Sequence, residues 1–434
     1  MRVEVFHVGD GDCLLLSSTR TDRNGNEVEY RILADGGRKQ PFRDHAREEI
    51  YGLDALDLVY VSHIDDDHIS GILGMIEDLV VWRVHHHRHA RGEPSPRPSF
   101  PEPPRIKEIW HNSLFELVGD ELEPRIEASL AATAATFANA TLPALSDLAA
   151  SCQNLATGER SSMELSRRIS TRQLDIARNR PRNELMHTES SRYRRIGPFT
   201  IRIIGPQQSA LEALRLRWEK WLTENGDMLK RLQAEILDDE ERLSAAEAST
   251  RSTPGISTAL GDGTITEPNL ASLMLLVQDQ AGPTVLLTGD GSSEDILAGL
   301  RHHGKLDDDD RIHVDLLKVQ HHAAEANVTR EFVERVTADH YVFCGNGAHH
   351  NPEKTVVAAL AEARLGVDRD QALGPASDFT FWFSSSKDTP GLQGRRVAHM
   401  TEIENLVESI AADHDREGRF HRRFLRQRPL VIDL

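Results

Sequence analysis

The most constraining stretch of the chain is "DLVYVSHIDDDHISGI", residues 57–72. A short apolar run rich in β-formers reads as a buried strand, and "ISGILGMIEDL" after it carries apolar residues at helical spacing. Two histidines and three aspartates therefore sit on a strand-to-helix turn. Charge at the end of a buried strand has to be matched by a partner.

His63, Asp65, Asp67 and His68 form the pattern H-x-D-x-D-H. Imidazole nitrogen and carboxylate oxygen are ligands for zinc and for neighbouring first-row metals. Alternate residues of an extended turn point the same way. His63, Asp65 and Asp67 then converge, His68 joins them as the helix starts, and Asp66 faces away. A helix N-cap is the simpler explanation of an acidic turn. It accounts for one aspartate or two, and for neither histidine.

The rest of the chain alternates short strands with helices. "RVEVFHV" and "CLLLSS" read as strands, and "NGNE" as the turn of a hairpin leading into "VEYRILADGG". "HHHRHARGEPSPRPSFPEPP" (85–104) reads as a proline-rich loop with His85, His86, His87 and His89 in solvent. "RIKEIWHNS" is a strand ending at His111, residues 115–180 are mainly helical, and "GPFTIRIIGP" is a strand again. A long helical pattern follows over 207–250. Strands "NLASLMLLVQD", "GPTVLLTGDG", "VDLLKVQHHAA" and "ADHYVFCGNG" and the helix "PEKTVVAALAEARLG" come after it. This order predicts an α/β sandwich with a large, mainly helical insertion. The expected divisions are 1–125 for the first part of the sandwich and 126–255 for the insertion, which contains a returning strand near 198–205. The second part is 256–390, and 391–434 is a C-terminal extension.

Composition narrows the function classes. The chain has 434 residues, no apolar run of membrane-helix length, and three widely separated cysteines, which suit a reducing cytoplasm rather than a disulfide framework. A formal charge of −18 argues against nonspecific binding of nucleic acid by the whole surface. Between 160 and 195, however, ten arginines face four acids. Arg178, Arg180 and Arg182 are the candidates there for a local phosphate-backbone track, against the simpler reading of a solvated surface.

Six segments, in order, resemble those of metallo-β-lactamase-fold hydrolases, of the branch typified by the hydrolase domain of ComEC-type DNA-uptake proteins. They are "VFHVGDGDCLLL", "RILADGG", "SHIDDDHISG", "NLASLMLLVQ…TVLLTGD", "DLLKVQHHA" and "NGAHHNPEKTV". Ala323-Ala324 departs from the Gly-Ser that usually follows the double histidine, and the middle insertions are unusually large. The resemblance implies two divalent metal ions, zinc or manganese. One is held by His63, Asp65 and a third histidine, for which His111 is the first choice and His187 the second. The other is held by Asp67, His68 and one of the pair His321 and His322, with Asp290 bridging. His322 is preferred as ligand and His321 as a phosphate or proton contact. Asp10, Asp12 and Asp35 are expected behind the ligands as supports, and His349 and His350 as contacts to a substrate phosphate or leaving group.

Two such metals activate a bridging hydroxide without a covalent intermediate. The resemblance favours phosphodiester hydrolysis, by a nuclease or phosphodiesterase. A hydrolase of a small ester, lactone or thioester on the same metals is the competing enzyme reading. A partner-binding subunit of a defence-like system, docking through the helical insertion, is the non-enzymatic one.

Overall fold

The computed structural model of the chain describes residues 1–112, 165, 168–169, 174–180, 185–190, 192–212, 216, 271–367, 372–426 and 429–434. The first three strands, β1 (Arg2–Val5), β2 (Leu14–Thr21) and β3 (Glu27–Ala34), form an antiparallel meander. Its β2–β3 turn is closed by Asp22, whose carboxylate accepts from the amides of Asn24 and Asn26. Helices α1 (Lys39–His45) and α2 (Arg47–Tyr51) lead to β4 (Ala55–Leu56) and β5 (Leu58–Tyr60). From β5 the chain passes through Val61–Asp65 into α3 (Asp66–Ala90).

Next come β6 (Arg105–Ile106), β7 (Glu108–Trp110), β8 (Ala177–Arg178), β9 (Arg194–Ile196), β10 (Phe199–Gly205), β11 (Met274–Asp279) and β12 (Thr284–Leu287). The last part holds α4 (Ser293–His302), β13 (Ile312–Lys318), α5 (Arg330–Arg335), β14 (Val336–Phe343), α6 (Lys354–Leu365), β15 (Phe379–Phe383), α7 (Arg395–His414), β16 (Phe420–Phe424) and β17 (Leu430–Asp433).

The fold is mixed α/β. Among the described residues a seven-stranded sheet runs in the order β17-β1-β2-β3-β5-β7-β8, and an eight-stranded sheet in the order β16-β15-β14-β13-β12-β11-β10-β9. A small third sheet pairs β4 with β6. Alternation along the strands explains how the sheets stack. Leu14 and Leu16 of β2 and Ile32 of β3 meet Ile201, Leu275, Val285 and Leu316 in one core between the large sheets. The neighbours on the other face, Leu15, Leu33 and Val59, pack under Phe42, Ile50, Ile69, Ile72 and Ile76 of α1–α3. On the far side, Leu276, Leu286, Leu317 and Phe381 pack under residues of α4–α7 such as Ile296, Phe332, Leu360 and Ile403. Both faces of each large sheet are apolar, so each is covered on both sides.

Helix α3 corrects one expectation. His85, His86, His87 and His89 lie on its last turns rather than in a loop. No glycine or proline interrupts the helix between Gly74 and Gly92, and histidine is tolerated in helices, so proline-rich composition begins to act only after Ala90. The segment 391–434 supplies α7 and the edge strands of both large sheets. Most of 126–255, including Trp218 and Trp221, lies outside the described residues, while the strand near 198–205 is β10. Among the described residues no helix is long and apolar enough to cross a membrane.

Candidate metal centre

Strand direction brings the polar residues to one edge. β3, β5 and β7 run parallel, as do β12, β13 and β14, and residues just past their carboxyl ends can project without breaking ladder hydrogen bonds. Asp35 follows β3, His63 to His68 follow β5, Asp290 follows β12, Lys318 ends β13, and His321 and His322 come next. β2 is antiparallel to β3, so Asp12, just before β2, reaches the same edge.

Two glycine contacts allow these loops to close. A Cβ on Gly11 would lie 1.7 Å from the carbonyl oxygen of Asp67, to which the Asp12 N–H donates at 3.3 Å. A Cβ on Gly71 would lie 2.0 Å from the carbonyl oxygen of Gly36.

Asp12, His68, Asp290 and His322 each offer a ligand atom within 4.8 Å of the others, and all four residues are buried. His322 Nε2 is 3.1 Å from Asp67 Oδ2 and 3.6 Å from Asp290 Oδ2, and its Nδ1 is 3.2 Å from Asp12 Oδ1. His68 Nε2 is 3.4 Å from Asp290 Oδ1. His63 Nε2 stands 3.7 Å from both Asp65 Oδ2 and Asp290 Oδ2, and its ring centroid is 4.0 Å from that of His68. Asp65 occupies the N-cap position of α3 but makes no side-chain capping bond, so capping does not account for it.

A surrounding layer orients these groups. Asp35 accepts from the Ser62 N–H and hydroxyl, both at 2.7 Å, and its Oδ2 is 3.0 Å from His68 Nδ1. That contact directs His68 Nε2 toward Asp290. Asn327 Oδ1 holds His321 Nδ1 at 2.6 Å, which leaves His321 Nε2 3.6 Å from Asp290 Oδ2. Lys318, 1% exposed, places its ammonium against the Asp12 carboxylate and 3.7 Å from Asp290 Oδ1, and donates to the Gly289 carbonyl.

Charge dominates the site. Burial alone would raise the Asp12 carboxyl, but Lys318, His68 and His322 outweigh it and bring it down to about 2. Asp67 and Asp290 are lowered by the same contest, with burial opposed by the surrounding imidazoles. Burial works against a charged imidazole too, yet Asp290 and Asp12 push His322 up to about 10, and the same carboxylates with Asp35 raise His68. The carboxylates thus hold their neighbours in the cationic form.

The residues fit a metal ion. His63 Nε2, His68 Nε2, Asp65 Oδ1 and Asp290 Oδ1 are buried with no hydrogen-bond partner among the described residues. Buried polar atoms are rarely left so, and these are nitrogen and oxygen donors of the kind that ligate ions. Backbone strain collects at the same place. Asp35, His321, His322 and Ala323 have φ of 57°, 46°, 52° and 66°, a left-handed region that costs a non-glycine residue about 1–2 kcal/mol.

The other expected residues differ in setting. Asp12 is one of the four clustered residues, brought there because the β1–β2 loop lies on the first turn of α3, and its carboxylate lies on the Nδ1 side of His322 and His68. Asp10 instead forks with Arg38, at 2.5 and 3.1 Å, while Asp35 does support a histidine. Asp66 stands near Arg38, although burial first raises its carboxyl. His111 follows β7, buried, with its backbone bonded both ways to the Asn179 side chain. Burial, then Arg178, pushes its imidazole down to about 3. His187 Nδ1 lies 3.5 Å from Glu189.

His349 and His350 are exposed in a turn beside α7, where the His350 ring stands 5.8 Å from that of His399. Gly347 brings their turn close to the backbone of Arg396 at the start of α7. Arg178 sits in β8, Arg180 is exposed, and Arg182 lies outside the described residues.

Sequence reasoning missed Lys318, Ser62 and Asn327. Ser62 adjoins the H-x-D-x-D-H pattern, and Lys318, polar at the end of an apolar strand, was the available signal; Asn327 had none. No protein-family model matches the chain, and no curated protein sequence matches it.

Proposed function

We propose that the chain is a metal-dependent hydrolase of the metallo-β-lactamase fold, akin to the ComEC-type branch, and that it cleaves phosphodiesters, nucleic acid being the favoured substrate class. The observation that carries this reading is convergence. Asp12, Asp35, the 63–68 turn, Asp290 and the 318–322 segment, far apart in sequence, meet at one strand-end edge around buried, unsatisfied donors. The helix–sheet–sheet–helix layering and the order of these segments support the family assignment.

Charge balance supports two ions. With the imidazoles deprotonated as metal ligation requires, Asp12, Asp35, Asp65, Asp67 and Asp290 bring five carboxylates against the one ammonium of Lys318, leaving four negative charges, those of two divalent cations. Zinc or manganese suits such a His/Asp set. Bound cations would supply Lewis acidity and a water of lowered pKa.

The protein's own part is to hold and orient. His63, Asp65, Asp67, His68, Asp290 and His322 would be the ligands, with Asp12 against Nδ1 of His322. Asp35 and Ser62 fix the His68 ring, and Lys318 fixes Asp12. His321, fixed by Asn327 and 28% exposed, stands where a substrate phosphate or leaving-group proton can reach it. Buried, unbridged Cys13 and Cys344 suit a cytoplasmic protein.

The test is a substrate panel of bis-p-nitrophenyl phosphate, single-stranded DNA, RNA and a thioester, with Asp67→Ala as control. Metal-dependent phosphodiester cleavage that is lost in Asp67→Ala is expected. Cleavage of the thioester alone selects the small-ester hydrolase instead, and nuclease activity surviving in Asp67→Ala marks a contaminant.

A further inference from the structure

The far end of α3 carries a second set of imidazoles that the proposed hydrolase does not use. Trp82, His85, His86 and His89 share one helix face, at spacings of three, four and seven residues. Their rings form a ladder. Trp82 lies 5.6 Å from His85 and 5.5 Å from His86, and His85 stacks on His89 at 6.1 Å with planes 20° apart. Two histidines four residues apart lie on adjacent turns, the spacing at which a helix grips one transition-metal ion with two imidazoles.

Each ring's other contacts single out one pair. His85 Nδ1 is 3.1 Å from Ser95 Oγ, which fixes the ring and leaves Nε2 to face an ion, as ligand histidines are usually held. His86 Nε2 is taken by Glu102 Oε1 at 2.9 Å, and His87 Nε2 stands 3.3 Å from the Arg91 guanidinium. His89 is exposed and His85 half-buried, so a cation there keeps part of its water shell and avoids most of the desolvation cost.

We propose that His85 and His89 form a surface site for a single imidazole-preferring ion of the Cu2+ class, separate from the buried centre. Copper(II) binds nitrogen donors most tightly in the divalent series, with nickel weaker, and water fills the remaining positions. Cations drawn to the buried centre are not expected to depend on this pair.

The test uses the full chain, titrated with Cu2+ and followed by calorimetry and electron paramagnetic resonance. The comparison is between the wild type, the double variant His85→Gln/His89→Gln, and His87→Gln. Wild type and His87→Gln should share one copper equivalent with a nitrogen-ligand signature that the double variant lacks, while thermal melting stays unchanged in all three. Persistence of that equivalent in the double variant overturns the site. So does its loss in His87→Gln, since that would mean surface histidines bind copper without regard to helix spacing.

Discussion

The two ends of α3 both carry histidine, and they solve different problems. At the amino-terminal end, His68 and Asp67 are enclosed by loops from both large sheets, and their charges are balanced by Asp12, Asp290, His322 and Lys318. At the other end, His85 and His89 are placed by helix spacing, with His85 half-buried and held by Ser95 and His89 in water. A buried ligand set needs the whole fold to assemble it, and a surface pair needs little more than its own helix and one neighbouring hydroxyl. The first can hold ions against a large desolvation cost because the fold has already gathered the opposing charge; the second is local and weak.

Substitutions can break or sharpen that contrast. The largest effect is expected from Asp67→Ala, which should reduce phosphodiester hydrolysis by more than about 100-fold, beyond the roughly 10–100-fold typical of an outer-shell partner. Steady-state rates on bis-p-nitrophenyl phosphate check it. Asp35→Asn should weaken zinc binding by about 10–100-fold while the fold is retained, because it loosens the hold on His68 without removing a ligand; competition with a chromophoric chelator measures this.

Burial at this end also predicts a pH dependence. His7, in the β1–β2 loop, is pushed down to about 4 by burial and then by the neighbouring His45. Its folded pKa lies below its unfolded value, so the unfolded chain takes the proton more readily. Stability is therefore complete above about pH 6.5 and falls as pH drops toward 4. His7→Gln should remove on the order of 2 kcal/mol of that acid loss, read from urea melts at pH 7 and pH 5. An acid limb of the same depth in the variant would show that His7 is not its source. The smallest effect is expected from Asp66→Ala. Asp66 feels the charge of Arg38 and is not in the four-residue cluster, and hydrolysis should stay within about twofold of wild type, whereas a loss as deep as that of Asp67→Ala would place Asp66 among the ligands.

Local pattern carried much of the fold into view. The β2–β3 hairpin, the β11–β12 pair and the strand-to-helix turn at 58–68 follow from alternation, turn residues and helical spacing. The convergence of Asp290 and His322 on that turn could be anticipated only through resemblance, because nothing local joins residues more than 200 positions apart. Spacing does not show that Gly11 lets the Asp12 loop touch Asp67. Sequence does not show that the two double histidines differ in setting: His321 and His322 follow a central strand, whereas His349 and His350 lie exposed in a surface turn. The 85–89 histidines were read by the proline-rich composition after them rather than by the helix before them.

The central claim is that the strand-end cluster is a metal centre. The most direct measurement is an anomalous difference map at the zinc edge from crystals of the full chain grown with zinc. The account predicts peaks about 2.0–2.2 Å from His68 Nε2, His322 and a carboxylate oxygen of Asp290. A well-ordered cluster without a peak, its carboxylates satisfied by Lys318 and the protonated histidines alone, would contradict it.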